Sequence, residues 1–418
     1  MRSDQSARRR AAFRILAFAD FRRFLLARLL ATLAAQMQIV TVGWQIYEIT
    51  HDPLDLGIVG LSQFVPFVLL ILSAGQAADR HDRRRILTLC YAVEAVCAML
   101  LLVFTLQRIE SAWPVFGAMT LLGCARAFSM PSSQALLPNL VPTESFPRAV
   151  ALNSSVFQVA TVVGPAIGGG VLSLGGPLAV YATVLALAVA AALLMLWVKD
   201  REVRAAPARE PPSWETLLSG LRFVRSKPVV FGAISLDLFA VLFGGATALL
   251  PIYASDILQV GPGGLGLLRT APGVGASLFA IALAFLPITR HVGPWMFGGV
   301  AMFGAATIVF GISTHFVLSL VALAVLGAAD MVSVYVRHLL VQLETPDYIR
   351  GRVSAVSAVF IGASNELGEF ESGITAKWWG TVRAVLVGGI ATLVVTGLWA
   401  RWFPVLWRMD ELPKPVRN

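Results

Sequence analysis

Twelve apolar runs of about 20 residues dominate the chain, and about 20 is the length a helix needs to cross roughly 30 Å of hydrocarbon. They fall near 22–48, 55–78, 86–106, 113–137, 149–174, 177–198, 229–255, 264–286, 294–312, 316–343, 353–376 and 384–403. Lipid offers no hydrogen-bond partner to a peptide group, so such runs predict transmembrane helices that satisfy their own backbone. The composition agrees: of 418 residues, 57% are hydrophobic and only 14% charged, against about a quarter charged in soluble proteins. So few charges cannot coat the surface of soluble domains, which excludes a soluble enzyme.

A net charge of +9 would suggest nucleic acid in a soluble chain. Here the positive residues fall in short loops between apolar runs, so they report orientation, and no nucleic-acid partner is expected. With an even number of spans both termini share a side. That side carries 26 Lys and Arg, the other side 3, and Arg28, Arg126, Arg269 and Arg337 lie inside spans. Excess Lys and Arg marks the cytoplasmic face, so both termini are expected in the cytoplasm. Arg14, Asp20, Arg22 and Arg23 interrupt any signal-peptide core, so the N-terminal segment is expected to be retained. Cys90, Cys97 and Cys124 lie inside apolar runs and read as free thiols rather than a disulfide framework or zinc site.

The one long polar stretch, Lys199 to Lys227, contains Pro207, Pro211 and Pro212 and then an amphipathic segment from Trp214 to Val224, which reads as a linker with an interfacial helix. At an offset of 203 residues, Leu136, Leu137, Leu140, Val150, Ser154, Val156 and Phe157 match Leu339, Leu340, Leu343, Val353, Ser357, Val359 and Phe360. Six spans per repeat give two halves of the same orientation. The expected organisation is a cytoplasmic segment 1–21, a six-helix bundle 22–198, a linker 199–228, a second bundle 229–403 and a tail 404–418, an all-α membrane protein with a cleft between its halves.

Between spans two and three runs Gly75-Gln76-Ala77-Ala78-Asp79-Arg80-His81-Asp82-Arg83-Arg84-Arg85. Gly75 permits close helix approach, Asp79 is an anionic partner at a helix end, and the arginines can pair across the two halves. The segment resembles the signature loop of the major facilitator superfamily, with Asp82 in place of that loop's second glycine. In span five, Gly164-Pro165-Ala166-Ile167-Gly168-Gly169-Gly170 sets a helix kink beside small packing residues. It resembles the second part of the superfamily's antiporter motif, with Ala151 and Ala160 where upstream glycines belong; a plain packing face is the alternative. Ala127 to Pro142, Ala149 to Ser154, Gly351-Arg352-Val353 and Glu366 to Gly373 are similar to the branch containing siderophore exporters and drug-efflux proteins. That resemblance implies the major facilitator fold, a bacterial inner-membrane location and efflux by proton antiport.

Ionisable groups within the bilayer cost at least about 2.5–3.5 kcal/mol each on insertion scales, so they face cavities and pair. Glu94 and Arg126 both fall near mid-membrane and are expected to pair, with Arg28 as a second cation. With Gln38 and Gln45, which share a face of span one, they form the candidate substrate cavity; a structural ion pair and helix-to-helix hydrogen bonding are the alternatives. Candidate gate residues are Gly75, Asp79, Arg80, Arg83, Arg148, Arg337 and Arg352, with Asp79 expected to meet Arg148 or Arg352. Gly164, Pro165, Gly168 and Gly169 form the candidate kink. Asp237, Asp330, Glu366 and Glu369 are the candidate proton carriers. Glu366 and Glu369 lie one turn apart and share a face, while Glu371 is rotated roughly 160° from Glu366 and ranks behind them.

No phosphate-binding loop, catalytic triad or metal-ligand spacing occurs in the sequence, so no cofactor is expected and the energy must come from an ion gradient or from the cargo's own. Joined to the efflux that the resemblance implies, this gives the expectation of a secondary active exporter of a small amphiphilic compound, siderophore or drug-like, with protons and membrane lipids as its other partners, acting as a monomer. An importer or uniporter of the same fold, or a non-transporting receptor or lipid scramblase, are the rival readings.

Overall fold

The computed structural model describes residues 15–199 and 214–413. The N-terminal segment to residue 14, the proline-containing part of the linker and the last five residues lie outside the described residues. Among those described, the long elements are all helices, and the one β-bridge joins Arg290 to Glu411.

The first helices are α1 (Ala19–Thr50), α2 (Pro53–Arg80), α3 (Arg83–Leu106) and α4 (Trp113–Leu136). A helical run from Phe146 to Leu196 follows, broken at Gly176, where φ is 67° and ψ is −175°. Only glycine takes that backbone without strain, and Pro177 then opens a new helix at the position where its missing N–H costs nothing. The two arms are α5 and α6. Beyond the linker come α7 (Trp214–Ser226), α8 (Pro228–Phe243), α9 (Gly261–Phe285), α10 (Val292–Ile312), α11 (Phe316–Glu344), α12 (Asp347–Trp379), α13 (Thr381–Trp402) and the single turn α14 (Pro404–Trp407).

Among the described residues, nine helical stretches are long and apolar enough to cross a membrane; the one from Thr143 to Leu196 holds both α5 and α6. The more polar α4 and α12 complete twelve spans. Large apolar side chains such as Leu174 (93% exposed) and Phe285 (81% exposed) point outward, as a lipid-facing surface requires. The seventh span is discontinuous: α8 stops at Gly244, and a 3-10 turn, one α-turn and a π-turn carry the chain to Ile257.

The chain packs as two compact units. The first runs to Val42 and resumes at Val65 as far as the linker; the second takes Gly43–Phe64 and everything from α7 onward. Within the first, α5 lies close on α1. A Cβ on Gly164 would stand 2.5 Å from Gln36 Cβ, and one on Gly168 would stand 2.8 Å from Met37 Cα. Its core gathers Phe21, Phe24, Leu87, Leu136 and Met195.

Within the second unit, the α1–α2 turn is held on α12 by a seam with no room for side chains. A Cβ at Gly57 would meet Phe370 Cα at 3.0 Å, and one at Gly373 would meet the Pro53 carbonyl at 2.9 Å. Lys377 donates to Asp52 at 2.5 Å, and Tyr47 donates to Asp256. These contacts explain why residues 43–64 pack with the second unit although their helices begin and end in the first.

Candidate transport site

In the first unit α1, α4 and α5 converge on Arg28. Its Nη1 donates to Ser133, its guanidinium lies 5.4 Å from the centre of the Phe157 ring, and its buried Nε has no acceptor. Tyr91 on α3 lies within electrostatic reach of both Arg28 and Glu94, and Glu94 within reach of Arg126. Glu94 and Arg126, expected to pair, thus lie within electrostatic reach of one another, and Tyr91 lies between the influence of Arg28 and that of Glu94. Arg126 is exposed and Glu94 buried, and one Glu94 oxygen makes no hydrogen bond. Arg126 and Ser133 are seven residues apart on α4, so they share a face at a separation of about 10.5 Å along the axis. Gln38 is fully buried with neither end of its amide bonded, whereas Gln45 is half-buried. Two arginines and one carboxylate leave this cluster with a surplus cation.

The second unit has the opposite balance. Arg337 donates to Asp237; the two side chains are 3% and 4% exposed. Ser333 donates to the other Asp237 oxygen at 3.4 Å, and Asp330 lies within electrostatic reach of both partners. Two acids thus face one arginine. Toward the opposite end of the unit, Arg269 approaches Glu369 at 4.0 Å. A Cβ on Gly60 would lie 3.1 Å from Glu369 Oε2 and 3.2 Å from Glu366 Oε2, so both carboxylates reach the same point beside α2. Gly245, at the break in span seven, packs on Gly368, which stands between the two glutamates in the chain.

The signature loop works differently from expectation. Asp82 caps α3, accepting from the backbone amides of Arg84 at 2.9 Å and Arg85 at 3.4 Å. This is why an acid replaces glycine there: an aspartate side chain satisfies amides that a glycine leaves bare. Arg83 donates to the carbonyls of Ala78 at 3.0 Å and Ala135 at 3.1 Å, and Arg84 donates to Val198 at 3.1 Å. Expected to pair across the halves, these two cap helix ends inside the first unit instead.

Gly75 is half-buried, while Asp79, Arg80 and Arg148 are exposed; among the described residues no ion pair joins Asp79 to Arg148. Arg352 instead lies 3.4 Å from Ser219 as a donor. Arg337, placed among the gate residues, is buried on Asp237. The backbone of α5 stays helical through Gly164, Pro165, Gly168 and Gly169, and the interruption is at Gly176. The alternative weighed for that motif, close packing, is the arrangement found.

Tyr91, Ser133, Phe157 and Ser333 were not singled out from the sequence. Ser333 sat at helical spacing between Asp330 and Arg337 and could have been found. Phe157 gave no signal, because an aromatic in an apolar span looks like any lipid-facing residue.

A family model described as transmembrane secretion effector, of the MFS_3 group, matches residues 10–413. The enterobactin exporter EntS of Escherichia coli O1:K1 / APEC is 26% identical over 387 residues, covering 90% of this chain and 86% of its own. Its counterpart from Shigella boydii serotype 18 is 26% identical over 385 residues, with the same coverage. Among solved structures, the nucleoside transporter NupG superposes with a TM-score of 0.70 at 16% identity over 93% of this chain and 99% of its own. A bacterial homologue of the iron transporter ferroportin, in its inward-facing state, gives 0.68 at 17% over 91% and 98%. Those two likenesses carry the fold alone. With the family match spanning nearly the whole sequence, the chain belongs to the transmembrane secretion effectors of the major facilitator superfamily, multi-pass membrane transporters and not enzymes.

Proposed function

We propose that the chain exports a small amphiphilic compound, siderophore or drug-like, from the bacterial cytoplasm in exchange for protons, by alternating access. Both termini lie in the cytoplasm on this reading. The observation that carries it is the meeting of acids in the second unit, where the carboxylates of Glu366 and Glu369 come together beside Gly60 and Asp330 lies beside the Asp237–Arg337 pair. Two carboxylates brought together at membrane depth repel one another, and a bound proton relieves that repulsion. The 26% identity to enterobactin exporters supports export and a siderophore-like cargo.

The glutamate pair is the principal carrier, because it lies against Gly60 in the seam between α2 and α12. Opening that seam gives the glutamates access to the external face. Asp237, held by Arg337 and Ser333, is chiefly structural, which leaves Asp330 as the second carrier. Asp79, free of Arg148 here, forms the inner gate when the cytoplasmic side closes.

Inverted membrane vesicles containing the full chain, energised to acidify their interior, should accumulate cargo from a panel of siderophore-like and drug-like compounds. Accumulation should collapse when the proton gradient is dissipated. Transport that survives dissipation of the gradient, at the same rate, would remove the antiport assignment.

A further inference from the structure

We propose that Arg28 is the anchor of a binding subsite for a planar organic anion, an aryl carboxylate or phenolate carried on an amphiphilic body. The inference deepens the proposed export function and rests on it only for the direction of transport.

An arginine presents two bidentate edges, one formed by its two terminal nitrogens and one by Nε with Nη2. Arg28 spends Nη1 on Ser133, and no protein acceptor meets its buried Nε. With Nε buried, a carboxylate meets the guanidinium at its terminal nitrogens, where Nη2 makes no hydrogen bond among the described residues and the planar edge matches a carboxylate. No carboxylate of the protein pairs with Arg28 among the described residues, and Glu94 lies within electrostatic reach of Arg126. The guanidinium is instead fixed against Phe157, whose ring remains 43% exposed. An arginine bound by a hydroxyl and stacked on an aromatic is oriented without being neutralised. An incoming anion supplies the missing charge, and its aryl group has the open Phe157 ring to pack on. Gln38, fully buried on the same helix with both amide ends unbonded, is a second unsatisfied polar group within the unit.

The test is equilibrium binding to the purified full chain in nanodiscs with no gradient, read by fluorescence anisotropy. The probes are carboxyfluorescein, an aryl carboxylate, and a cationic rhodamine ester of similar ring system. The wild-type chain should bind the anion in preference to the cation. Arg28→Gln should weaken the anion roughly tenfold to hundredfold, the range for one charge-assisted bidentate contact, and leave the cation unchanged or tighter. Arg28→Lys should rescue part of the loss, because a point charge lacks the fork. Should Arg28→Gln fail to fold, Phe157→Ala, a change at an exposed ring, should weaken carboxyfluorescein several-fold.

Wild-type binding of neither probe, preference for the cation, or anion binding unaltered in both Arg28→Gln and Phe157→Ala would overturn the subsite. Because the assay contains no proton gradient, a failure of antiport leaves this result standing, and a failure here leaves antiport standing.

Discussion

The two units carry opposite surpluses at membrane depth. The first places two arginines, Arg28 and Arg126, around one acid, Glu94. The second places Asp237 and Asp330 around Arg337 and brings Glu366 and Glu369 together beside Gly60, with Arg269 4.0 Å from Glu369. A chain selected only to span a bilayer would carry neither imbalance, since each unmatched charge costs insertion energy. On the reading proposed above, the difference is a division of labour: a ligand neutralises the cationic surplus of one unit, and protons the anionic surplus of the other.

The largest expected effect comes from breaking the buried pair at the centre of one of these clusters. Asp237→Ala strands Arg337, and removing one member of a buried pair costs about 3–5 kcal/mol. The variant should fail to accumulate in membranes, while the double change Asp237→Leu with Arg337→Leu should restore much of the protein. Normal accumulation of Asp237→Ala would mean that Arg337 finds another acid, with Asp330 the nearest choice.

Next in size is Arg126→Ala. Arg126 is exposed, so the protein should fold with little change in melting temperature while efflux drops roughly tenfold or more, as expected for a lost charged contact. Wild-type efflux at matched expression would leave Glu94 and Arg126 as a structural pair and blunt the comparison.

A third change tests the seam that covers the glutamates. Gly57→Ala drives a methyl group onto the Phe370 backbone, which cannot yield as a flexible side chain would, and overpacking of this kind costs about 1–3 kcal/mol. A cysteine placed at Gly60 should become more reactive to an impermeant thiol reagent added from outside when Gly57 is Ala. Unchanged reactivity would show that the seam does not govern access to the glutamates.

The smallest effect concerns the Asp52–Lys377 bridge beside that seam. Burial works against the Asp52 carboxylate, but the Lys377 hydrogen bond, the Leu54 amide and the Lys377 charge together hold it below the ordinary carboxylate range. A carboxylate so depressed contributes stability above its ordinary pKa, about 4, and loses it as pH falls through the lowered value. Between pH 5 and 8 the bridge should therefore be constant, and Asp52→Asn should slightly increase outside labelling by the same amount throughout that range. A pH-dependent difference would move the proton sensor from the glutamates to this loop.

The spans were legible because lipid imposes one length and one composition on them; the break between α5 and α6 fell where Gly176 and Pro177 stand. The intramembrane charges were legible for the same reason, since each is conspicuous in an apolar run. Their partners were less so. Ser133 and Phe157 reach Arg28 across 105 and 129 positions of chain, and no local period announces such a meeting. The loop arginines misled because positive residues at a cytoplasmic end serve topology, gating and helix capping alike, and only the positions of the Ala135 and Val198 carbonyls select capping. The contacts Tyr47–Asp256 and Asp52–Lys377 around the α1–α2 turn were missed because acids beside loops look solvated.

The division of labour is tested most directly by reconstituting the double variant Glu366→Gln with Glu369→Gln in proteoliposomes and measuring cargo and proton movement together. Cargo counterflow, which needs binding and alternation but no net proton transfer, should persist at a rate close to wild type. Uptake driven by an imposed pH gradient, and the proton flux that accompanies cargo, should both be lost. If the double variant still moves protons in step with cargo at the wild-type ratio, the glutamate pair is not the carrier and the account of the second unit is wrong.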